Sequence, residues 1–428
     1  MKSRLSRRCL LRRSVVAAAP LFIPAAVLGK TAVPAPSNRI NLGLVGLGSM
    51  GLRHVQGFLQ ESDSRLAALC DLDATRLKAA LAVVEKAQGS RSCRTVADFR
   101  ALLACPGLDA VCLSVPDHWH SIVAIQAARA GLAIYGEKPL ALTIAEGRSM
   151  VNEVHRSGVV WQTGSWQRST WQFRQACELV RNGRIGKLQK VEVSIGGGSR
   201  IAPQPVMPVP PGFDYDMWLG PAPWAPYTEK RCHWNFRWIL DYAGGQVTDW
   251  GAHHIDIAQW GMGADHTGPV EVVGRGDFPA EGLWNAAVTF RFQCAYADGV
   301  VMEVFDDPAE HVKFIGSDGW VRVTRDELKT HPAWLVRERA GTGEVRLTGP
   351  KGENRQGHRH EFLQAVRTGG PTISPIDSAH RSATVCHLGN IAMLVGRKIR
   401  WDPQAERIIG DDSADRMVRR SMRAPWGF

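Results

Sequence analysis

The chain has 428 residues, 44% hydrophobic and 22% charged, which are the proportions of a soluble globular protein of about two domains. Its net charge of +11 is concentrated at one end, because residues 1–30 hold seven of the lysines and arginines and no acid, which leaves +4 for the rest. So small a surplus gives no reason to expect nucleic acid as a partner. Four arginines near the C-terminus are interpreted as a solvated cluster: Arg416, Arg419, Arg420 and Arg423.

The first 30 residues predict an export signal. Arg7 and Arg8 precede an uncharged segment over residues 14–29, which is shorter than the roughly 20 residues of a membrane-spanning helix. This pattern is typical of twin-arginine signals, so we expect the twin-arginine machinery to export the folded protein to the periplasm or another extracytoplasmic space. A disordered basic tail is the alternative, and an uncleaved signal would serve as an anchor. Residues 31–38 are interpreted as a linker.

Residues 40–51 carry the pattern of a dinucleotide site. An apolar run over 40–45 predicts a buried strand, Gly46-x-Gly48-x-x-Gly51 ends it, and apolar residues at helical spacing follow. Gly46 allows a tight turn, Gly48 lets the backbone approach a pyrophosphate, and Gly51 lets the helix pack against the strand. The N–H groups of the first helical turn then face the phosphates. The predicted cofactor-binding residues are Gly46, Leu47, Gly48, Ser49, Met50 and Gly51.

A carboxylate follows the second predicted strand. Asp71 comes 20 residues after Gly51, where an acid holds the ribose hydroxyls and repels a 2′-phosphate. NAD is therefore predicted rather than NADP, although Arg76 and Lys78 lie close by and would suit NADP. The alternative role for Asp71 is to cap the helix that starts near residue 73.

Residues 39–164 alternate strand-like runs with helical patterns, which indicates an NAD-binding Rossmann domain with a parallel sheet. In such sheets, ligands bind beyond the carboxyl ends of the strands. Lys138 follows one of these ends and precedes Pro139, which disfavours helical angles at the lysine, so its ammonium is placed to meet a substrate hydroxyl beside the nicotinamide. A surface lysine in a turn is the alternative. His118 and His120 follow the preceding strand, and for both a role at the site and a role in capping or packing stay open.

Residues 165–401 predict an α+β domain with an open, mostly antiparallel sheet, because several strand-like runs alternate apolar with polar residues. Helices are expected on one face of the sheet, and the other face is expected to be solvated or paired. Residues 196–211, with three consecutive glycines and five prolines, form a long loop that favours a functional cover or a partner contact. Residues 402–428 are interpreted as a C-terminal tail.

A second chemical pattern lies over residues 244–260. If this stretch is helical, Asp249 and His253 lie one turn apart on one face. The imidazole can then take a hydroxyl proton, and the carboxylate can hold the imidazole or the substrate. A buried His–Asp hydrogen bond without chemistry is the alternative, and His254, on another face, is interpreted as structural. We see no third and fourth ligand at a convincing spacing, so no metal is predicted.

Tryptophan and cysteine are the remaining informative residue types. Fifteen tryptophans is a high number, and their flat faces stack on sugars as well as in cores and interfaces. Trp119, Trp166 and Trp250 flank the site segments and are candidate sugar platforms. Cys9 belongs to the predicted signal; the other eight cysteines form no Cys-x-x-Cys pair and are interpreted as free thiols.

Taken together, these motifs resemble the Gfo/Idh/MocA oxidoreductases, which include glucose–fructose oxidoreductase and inositol dehydrogenase. The matching segments, in family order, are residues 46–51, 114–118, 137–139 and 244–253. The resemblance implies a Rossmann domain followed by an α/β domain used in homo-oligomers. It implies that Lys138, Asp249 and His253 are catalytic and that the cofactor site also includes Pro116, His118, Glu137 and Lys138.

The chain also resembles exported members of this family that carry a Trp-Gln-Arg-Ser-like segment, here residues 166–169. From this we infer that Gln167 and Arg168 line the substrate site; Trp119, Trp250 and His253 complete the predicted set. We expect hydride transfer between a hydroxyl carbon of a sugar, polyol or glycoside and a tightly bound NAD. The alternatives are an NAD-dependent glycosidase that uses transient oxidation and elimination, and a non-catalytic sugar-binding protein.

Overall fold

The computed structural model describes residues 38–89, 93–347, 349 and 354–428. Residues 40–428 form one compact body. The predicted export signal, Cys9 and residues 31–37 of the predicted linker lie outside the described residues. Within the described ranges, no helix is long and apolar enough to cross a membrane. All eight cysteines there are free thiols, as the sequence indicated.

The N-terminal half builds a six-stranded parallel sheet, which confirms the predicted Rossmann-type fold. Its strand order is β3-β2-β1-β4-β5-β6, so the order reverses between β1 and β4, where ligands bind in folds of this kind. The sequence analysis missed β3, which is three residues long and largely exposed. The strands are β1 (Ile40–Val45), β2 (Ser64–Cys70), β3 (Arg94–Val96), β4 (Ala110–Leu113), β5 (Ala133–Gly136) and β6 (Trp161–Thr163).

Helices cover both faces of this sheet, and each face has its own apolar core. Asp73 caps the second helix by accepting hydrogen bonds from the N–H groups of Thr75 and Arg76. The capping role that was the alternative for Asp71 therefore belongs to Asp73. The helices of this half are α1 (Ser49–Leu59), α2 (Ala74–Gln88), α3 (Phe99–Leu103), α4 (Asp117–Arg129) and α5 (Ile144–Ser157).

The C-terminal half builds a nine-stranded sheet in the order β13-β12-β11-β7-β10-β9-β8-β14-β15. Within this second sheet, only the β7–β10 pair is parallel among the described strands, which confirms the expected mostly antiparallel sheet. The strands are β7 (Leu188–Ile195), β8 (Glu271–Gly276), β9 (Phe290–Ala295), β10 (Val301–Asp306), β11 (His311–Gly316), β12 (Trp320–Val323), β13 (Leu328–His331), β14 (Ile399–Asp402) and β15 (Arg407–Ile408).

One face of the second sheet is covered by helices, and the other carries charged side chains. On the charged face, Glu303 pairs with Lys190 and Arg291 on the neighbouring strands, each at 2.7 Å. The difference between the covered face and the charged face follows from the alternation of apolar and polar residues along the strands. The helices of this half are α6 (Trp171–Arg181), α7 (Tyr215–Leu219), α8 (Gln246–Asp249), α9 (Gly251–Met262), α10 (Asn354–Thr368), α11 (Ile376–Val395) and α12 (Asp412–Asp415).

A segment of the second half, residues 212–237, lies against the first sheet, and we call it the strap. Its start is fastened to the end of β2 and the start of α2, because Ala74 N–H donates to Gly212 O at 2.9 Å and Asp214 N–H donates to Leu72 O at 3.0 Å. The strap therefore lies over the carboxyl edge of the parallel sheet. The sequence analysis placed a functional cover or a partner contact one segment earlier, at residues 196–211.

Candidate active site

A cavity of about 670 Å³ opens at the carboxyl edge of the parallel sheet. Its wall combines strand ends of that sheet, the strap, and the segment that joins α8 to α9. No residue of 196–211 lines it, so the predicted cover is wrong in position: the strap carries that role. A cavity of this size with convergent polar groups is typical of a small-molecule site.

The glycine turn forms one end of the cavity. Gly46 has a φ of +84°, and a Cβ there would lie 2.5 Å from Ser114 O. A Cβ on Gly51 would overlap the Gly46 carbonyl, so only glycine fits at either position. No side chain caps α1, which leaves the N–H groups of its first turn for phosphate oxygens. These features fit a dinucleotide.

The predicted cofactor-binding residues of this turn divide into two groups. Gly46, Gly48, Ser49 and Met50 line the cavity. Gly51 and Leu47 lie behind the wall, and the Leu47 side chain is buried in the core of the sheet. Leu47 contributes through its N–H, which donates to Asp71 Oδ2 at 2.6 Å.

Asp71 lies on the cavity wall at the end of β2. Its other carboxylate oxygen, Oδ1, accepts from the Asp73 N–H at 2.8 Å. Burial raises the pKa of Asp71 above its ordinary value, and these two backbone hydrogen bonds oppose that rise. Both oxygens are thus fixed in orientation, and each keeps a lone pair for a ribose hydroxyl.

The end of β4 and the start of α4 contribute Pro116, Asp117 and Trp119 to the wall. His118, predicted at the cofactor site, does not reach it. Its ring is fully buried, and Nε2 donates to Trp218 O at 2.9 Å. Burial lowers the pKa of His118 to about 3, so the ring is a neutral packing residue. The packing alternative is therefore the correct one for His118.

The end of β5 contributes Glu137 and Lys138. Glu137 Oε1 lies 2.8 Å from His54 Nε2, which donates to it from α1. Burial acts to raise the pKa of Glu137, but the bond from His54 and the charge of Lys138 outweigh it, and the pKa lies below its ordinary value. A charged Glu137 fixed from behind in this way holds the segment that carries Lys138.

Lys138 reaches across the cavity to the end of α8. Its ammonium donates to Asp249 Oδ1 at 2.5 Å and to Asp249 O at 2.9 Å. The second carboxylate oxygen of Asp249 lies 3.1 Å from Arg237 Nε of the strap. Burial acts to raise the pKa of Asp249, but the charges of Lys138 and Arg237 overcome it and lower the pKa. Asp249 thus joins all three parts of the wall.

Asp117 is a second carboxyl group at this place, and the sequence analysis did not single it out. It is buried at the first position of α4 and lines the cavity. Burial and the negative charge of Asp249 raise the pKa of Asp117 to about 8. At neutral pH these two neighbouring carboxyl groups therefore differ: Asp249 is ionised and Asp117 is protonated. Its position directly after a strand end was the signal that could have found it.

His253 lines the same cavity from the first turn of α9. Its Nδ1 is buried and has no hydrogen-bond partner among the described residues. Burial lowers the pKa of His253 well below its ordinary value, and the positive charges of Lys138 and Arg325 lower it further. The ring is therefore neutral at physiological pH and able to accept a proton. Of the two roles predicted for Asp249, the structure does not show the contact with imidazole: Asp249 holds Lys138 instead.

The three tryptophans predicted as sugar platforms, Trp119, Trp166 and Trp250, all line the cavity, as do Trp218 and Trp234 of the strap. The rings of Trp166 and Trp250 lie edge-on to His253, with centroids 6.3 Å and 6.4 Å from it. The ring of Trp119 is almost completely buried and packs against Trp426, at a centroid distance of 4.6 Å. Trp166 and Trp250 thus flank His253, while Trp119 is mainly a packing residue.

Gln167 and Arg168, predicted to line the substrate site, lie behind it. Arg168 is buried and pairs with Asp256 at 2.7 Å and with Asp265 at 2.8 Å, so its charge is already satisfied. Gln167 is buried too; it accepts from Arg325 Nε at 3.0 Å and donates to His253 O at 3.3 Å. Neither residue lines the cavity, and Gln167 acts on the site only by joining Arg325 to α9.

Two arginines that the sequence analysis missed complete this end of the cavity. Arg325 follows β12 and lies over the rings of Trp250 and Trp166, at 4.0 Å and 4.9 Å from the centroids. Arg355, near the start of α10, lies 4.3 Å from the Trp166 centroid. Arg325 comes from a loop and Arg355 from the first turn of a helix, and neither lies in a local motif, so no signal in the sequence pointed to them.

The structure joins a nucleotide-binding parallel sheet to an open, mostly antiparallel sheet, and a lysine–aspartate pair lies at the junction. This combination defines an oxidoreductase with NAD as its cofactor. Comparison with protein-family models agrees: a model for the "Oxidoreductase family, NAD-binding Rossmann fold" matches residues 40–165, and one for the "Oxidoreductase family, C-terminal alpha/beta domain" matches residues 192–428. The chain belongs to the Gfo/Idh/MocA oxidoreductase family, as its motifs indicated.

Individual relatives match at modest identity over most of the chain. Myo-inositol 2-dehydrogenase of Thermotoga maritima is 26% identical over 86% of this chain and 98% of its own length. D-apiose dehydrogenase of Paraburkholderia graminis is 28% identical over 68% of this chain and 70% of its own length. The WlbA dehydrogenase of Bordetella pertussis, solved with NADH and UDP-GlcNAcA, has the same fold, with a TM-score of 0.63 at 20% identity over 85% of this chain and 99% of that one.

Proposed function

We propose that this oxidoreductase acts on a hydroxyl-bearing carbon of a sugar, polyol or glycoside. The observation that carries the proposal is the Lys138–Asp249 ion pair, which lines the same cavity as the neutral His253 and the glycine turn. The relatives named for myo-inositol and D-apiose support the substrate class, since one name denotes a polyol and the other a sugar.

Oxidation of an alcohol to a carbonyl removes a proton from the hydroxyl oxygen and a hydride from its carbon, and the side chains of the cavity suit both transfers. When bound, the nicotinamide supplies the acceptor for the hydride that leaves the carbinol carbon. His253 takes or relays the hydroxyl proton. Lys138 has three N–H groups, of which Asp249 accepts two, so one remains for the substrate oxygen and stabilises its developing negative charge. Asp249 orients the lysine.

We further propose that NAD stays bound between turnovers. The strap supports this, since its residues Phe213, Trp218 and Tyr227 line the same cavity as Asp71 and cover part of it. A retained cofactor has to be reoxidised in place. Two cycles achieve this: a second sugar is reduced, or an oxidised glycoside is cleaved by elimination and then reduced again.

The predicted export signal remains a proposal, and it fits a retained cofactor. A protein exported after folding would take up NAD in the cytoplasm and then work where no free nicotinamide pool is available. Fractionating cells that express the full chain, beside an Arg7→Lys, Arg8→Lys variant, tests this. Wild-type protein in the periplasmic fraction with the variant retained inside supports export, and equal distribution of the two contradicts it.

The proposed activity is tested on freshly purified protein without added nucleotide. Mass spectrometry after denaturation should release NAD in near-stoichiometric amount. Adding sugars, polyols and glycosides should then reduce the retained nicotinamide, seen in its absorbance. Release of aglycone without net reduction would identify the glycosidase cycle. If no compound of a broad panel reduces the retained nicotinamide or is cleaved, the non-catalytic sugar-binding alternative replaces the proposal.

A further inference from the structure

The substrate end of the cavity holds two guanidinium groups that no carboxylate neutralises. Arg325 and Arg355 line the cavity, and neither forms an ion pair with any other residue in the described ranges. The Arg355 Nε is buried and has no hydrogen-bond partner there. The one bond that Arg325 makes through Nε goes to the neutral amide of Gln167. Two half-buried positive charges thus lie side by side, and neither forms an ion pair with a described residue.

The acids that line the cavity are committed elsewhere. Asp249 is shared between Lys138 and Arg237, Glu137 is bonded to His54, and Glu229 pairs with Lys230 at 3.5 Å. The charge of Glu137 acts on Arg355 and that of Asp249 on Arg325, but neither acid forms an ion pair with its arginine among the described contacts. Asp117 is protonated at neutral pH. Asp71 lies at the far end, beside the glycine turn. Glu310 acts on Arg325 from outside the lining, but the two form no ion pair among the described contacts.

Such an arrangement is costly for the protein alone. Burial and the charge of Arg355 lower the pKa of Arg325 to about 10, and burial lowers the pKa of Arg355 as well. Uncompensated charges of this kind are destabilising unless a ligand neutralises them, and perturbed ionisable groups in a cleft are typical of binding sites. The glycine turn would hold the cofactor phosphates, which leaves the substrate as the source of a counter-charge at this end.

The position of the two arginines fixes what they would hold. Both lie on Trp166, whose ring is beside His253. An anion bound there is therefore close to the hydroxyl on which His253 and Lys138 act. Guanidinium groups bind a carboxylate through paired N–H donors.

We propose that the substrate is a sugar acid, and that Arg325 and Arg355 bind its carboxylate while Lys138 and His253 act on one of its hydroxyls. This inference rests on the proposed oxidoreductase function and deepens it by naming the substrate class. The two arginines of the cavity wall, rather than overall similarity to relatives, distinguish this chain from a dehydrogenase of neutral sugars.

The test compares matched acids and neutral sugars on the protein as purified with its nucleotide. Reduction of the retained nicotinamide is followed with glucuronate against glucose, galacturonate against galactose, and gluconate against glucitol, with glucose 6-phosphate as a second anion. The same series is run on Arg325→Met, Arg355→Met, Arg355→Lys and, as control, Arg346→Met, whose residue is exposed and outside the cavity.

We expect at least one acid to exceed its neutral partner by tenfold or more in the second-order rate constant for reduction of the retained nicotinamide. Arg355→Met and Arg325→Met should each lower that ratio by roughly 10- to 100-fold, the usual effect of losing a charged hydrogen bond. Arg355→Lys should lose less, and Arg346→Met nothing. Equal use of acid and neutral partners, preference for the phosphate ester, or an equal loss for both partners in the variants would overturn the inference.

A binding measurement keeps this inference separate from the proposed activity. Calorimetric titration of the NADH-loaded protein with the same acids requires no turnover. Binding of an acid that weakens tenfold or more in Arg355→Met supports the carboxylate site even if no compound is oxidised, in which case the proposed function alone fails. If no acid binds in preference to its neutral partner, the carboxylate site is absent, whatever the protein oxidises.

Discussion

The Nζ atom of Lys138 lies 2.5 Å from Oδ1 of Asp249, although the two residues are 111 positions apart. The contact joins the end of β5 to the end of α8, and hence the two sheets. It sets the direction of the ammonium, because the backbone carbonyl of Asp249 accepts a second bond at 2.9 Å. The aspartate therefore serves as an orienting group for the lysine.

This relationship predicts the effect of Asp249→Asn. The asparagine amide lacks the negative charge that fixes Lys138 and neutralises Arg237. The two positive charges would then repel each other, so we expect kcat to fall by roughly 10- to 100-fold. Lys138→Met should cost more, about 10²–10⁴-fold, because the positive charge beside the substrate oxygen is lost. Steady-state rates measure both. Lys398→Met, at an exposed pair with Glu271, is the matched control and should leave the rate unchanged.

Asp71→Asn should weaken retention of NAD. The variant removes the charge that accepts the ribose hydroxyls and excludes a 2′-phosphate, so the affinity for NAD should fall about tenfold while that for NADP rises relative to it. Titrating both nucleotides into protein that has been stripped of its cofactor measures the change. Asp98→Asn, the same change at the cap of α3 outside the cavity, where asparagine also serves as a cap, is the control. An unchanged NAD to NADP preference in Asp71→Asn would contradict the assignment of the ribose site.

Asp117 predicts a pH dependence of stability. Its folded pKa of about 8 lies above the unfolded value of 3.8, so the folded state binds the extra proton between these limits. Its contribution to stability is fully present below about pH 4 and is lost as the pH rises through 8. The Asp117→Asn variant has no titrating carboxyl group at this position. The variant should therefore gain stability relative to wild type as the pH rises, by at most about 1.4 kcal/mol per unit.

Urea unfolding of the two proteins at pH 5, 6, 7 and 8 would measure that difference. A constant difference across the series would show that Asp117 is already ionised in the folded protein. The comparison isolates one residue, since all other titrating groups are shared.

The C-terminal arginines were interpreted as a solvated cluster, and for two of them this is wrong. Arg420 Nε donates to the buried Glu146 Oε1 at 2.5 Å, and its Nη2 donates to His118 O at 3.0 Å. Arg423 donates to Gly220 O at 2.8 Å. The segment thus braces the start of α4, whose residues line the cavity.

Arg420→Met should therefore destabilise the fold. It leaves the Glu146 charge buried and unpaired, which typically costs about 3–5 kcal/mol. Arg419→Met, one position earlier and exposed, should change stability by about 0.5 kcal/mol or less. Thermal or urea unfolding of the two variants measures this. Restored stability in the double variant Arg420→Met, Glu146→Gln would show that the buried charge is the cause.

The sequence was most informative where a residue's role depends on its own neighbours. The glycine turn, Asp71 after β2 and Lys138 at a strand end follow from local backbone rules, and the structure places Gly46, Gly48, Asp71 and Lys138 on the cavity wall. Periodicity also predicted both sheets, but it missed short or edge strands such as β3 and β15, which bury too little apolar surface to leave a pattern.

Local patterns failed where long-range pairing decides. Arg168 stands next to site residues in the sequence, yet Asp256 and Asp265 draw its side chain away from the cavity. Arg237, Arg325 and Arg355 reach the cavity because distant segments fold against it, and nothing in their own neighbourhood marks them. The strap was missed for the same reason: its position depends on hydrogen bonds to β2 and α2 rather than on its composition.

The central claim is that His253 exchanges the hydroxyl proton in a cavity that also holds NAD and Lys138. It is tested most directly by the single-turnover rate at which the best substrate of the panel reduces the retained nicotinamide, in wild type and in His253→Ala. The account predicts a fall of about 10²–10⁴-fold in the variant with its nucleotide still bound. An unchanged rate in His253→Ala with full nucleotide occupancy would contradict it.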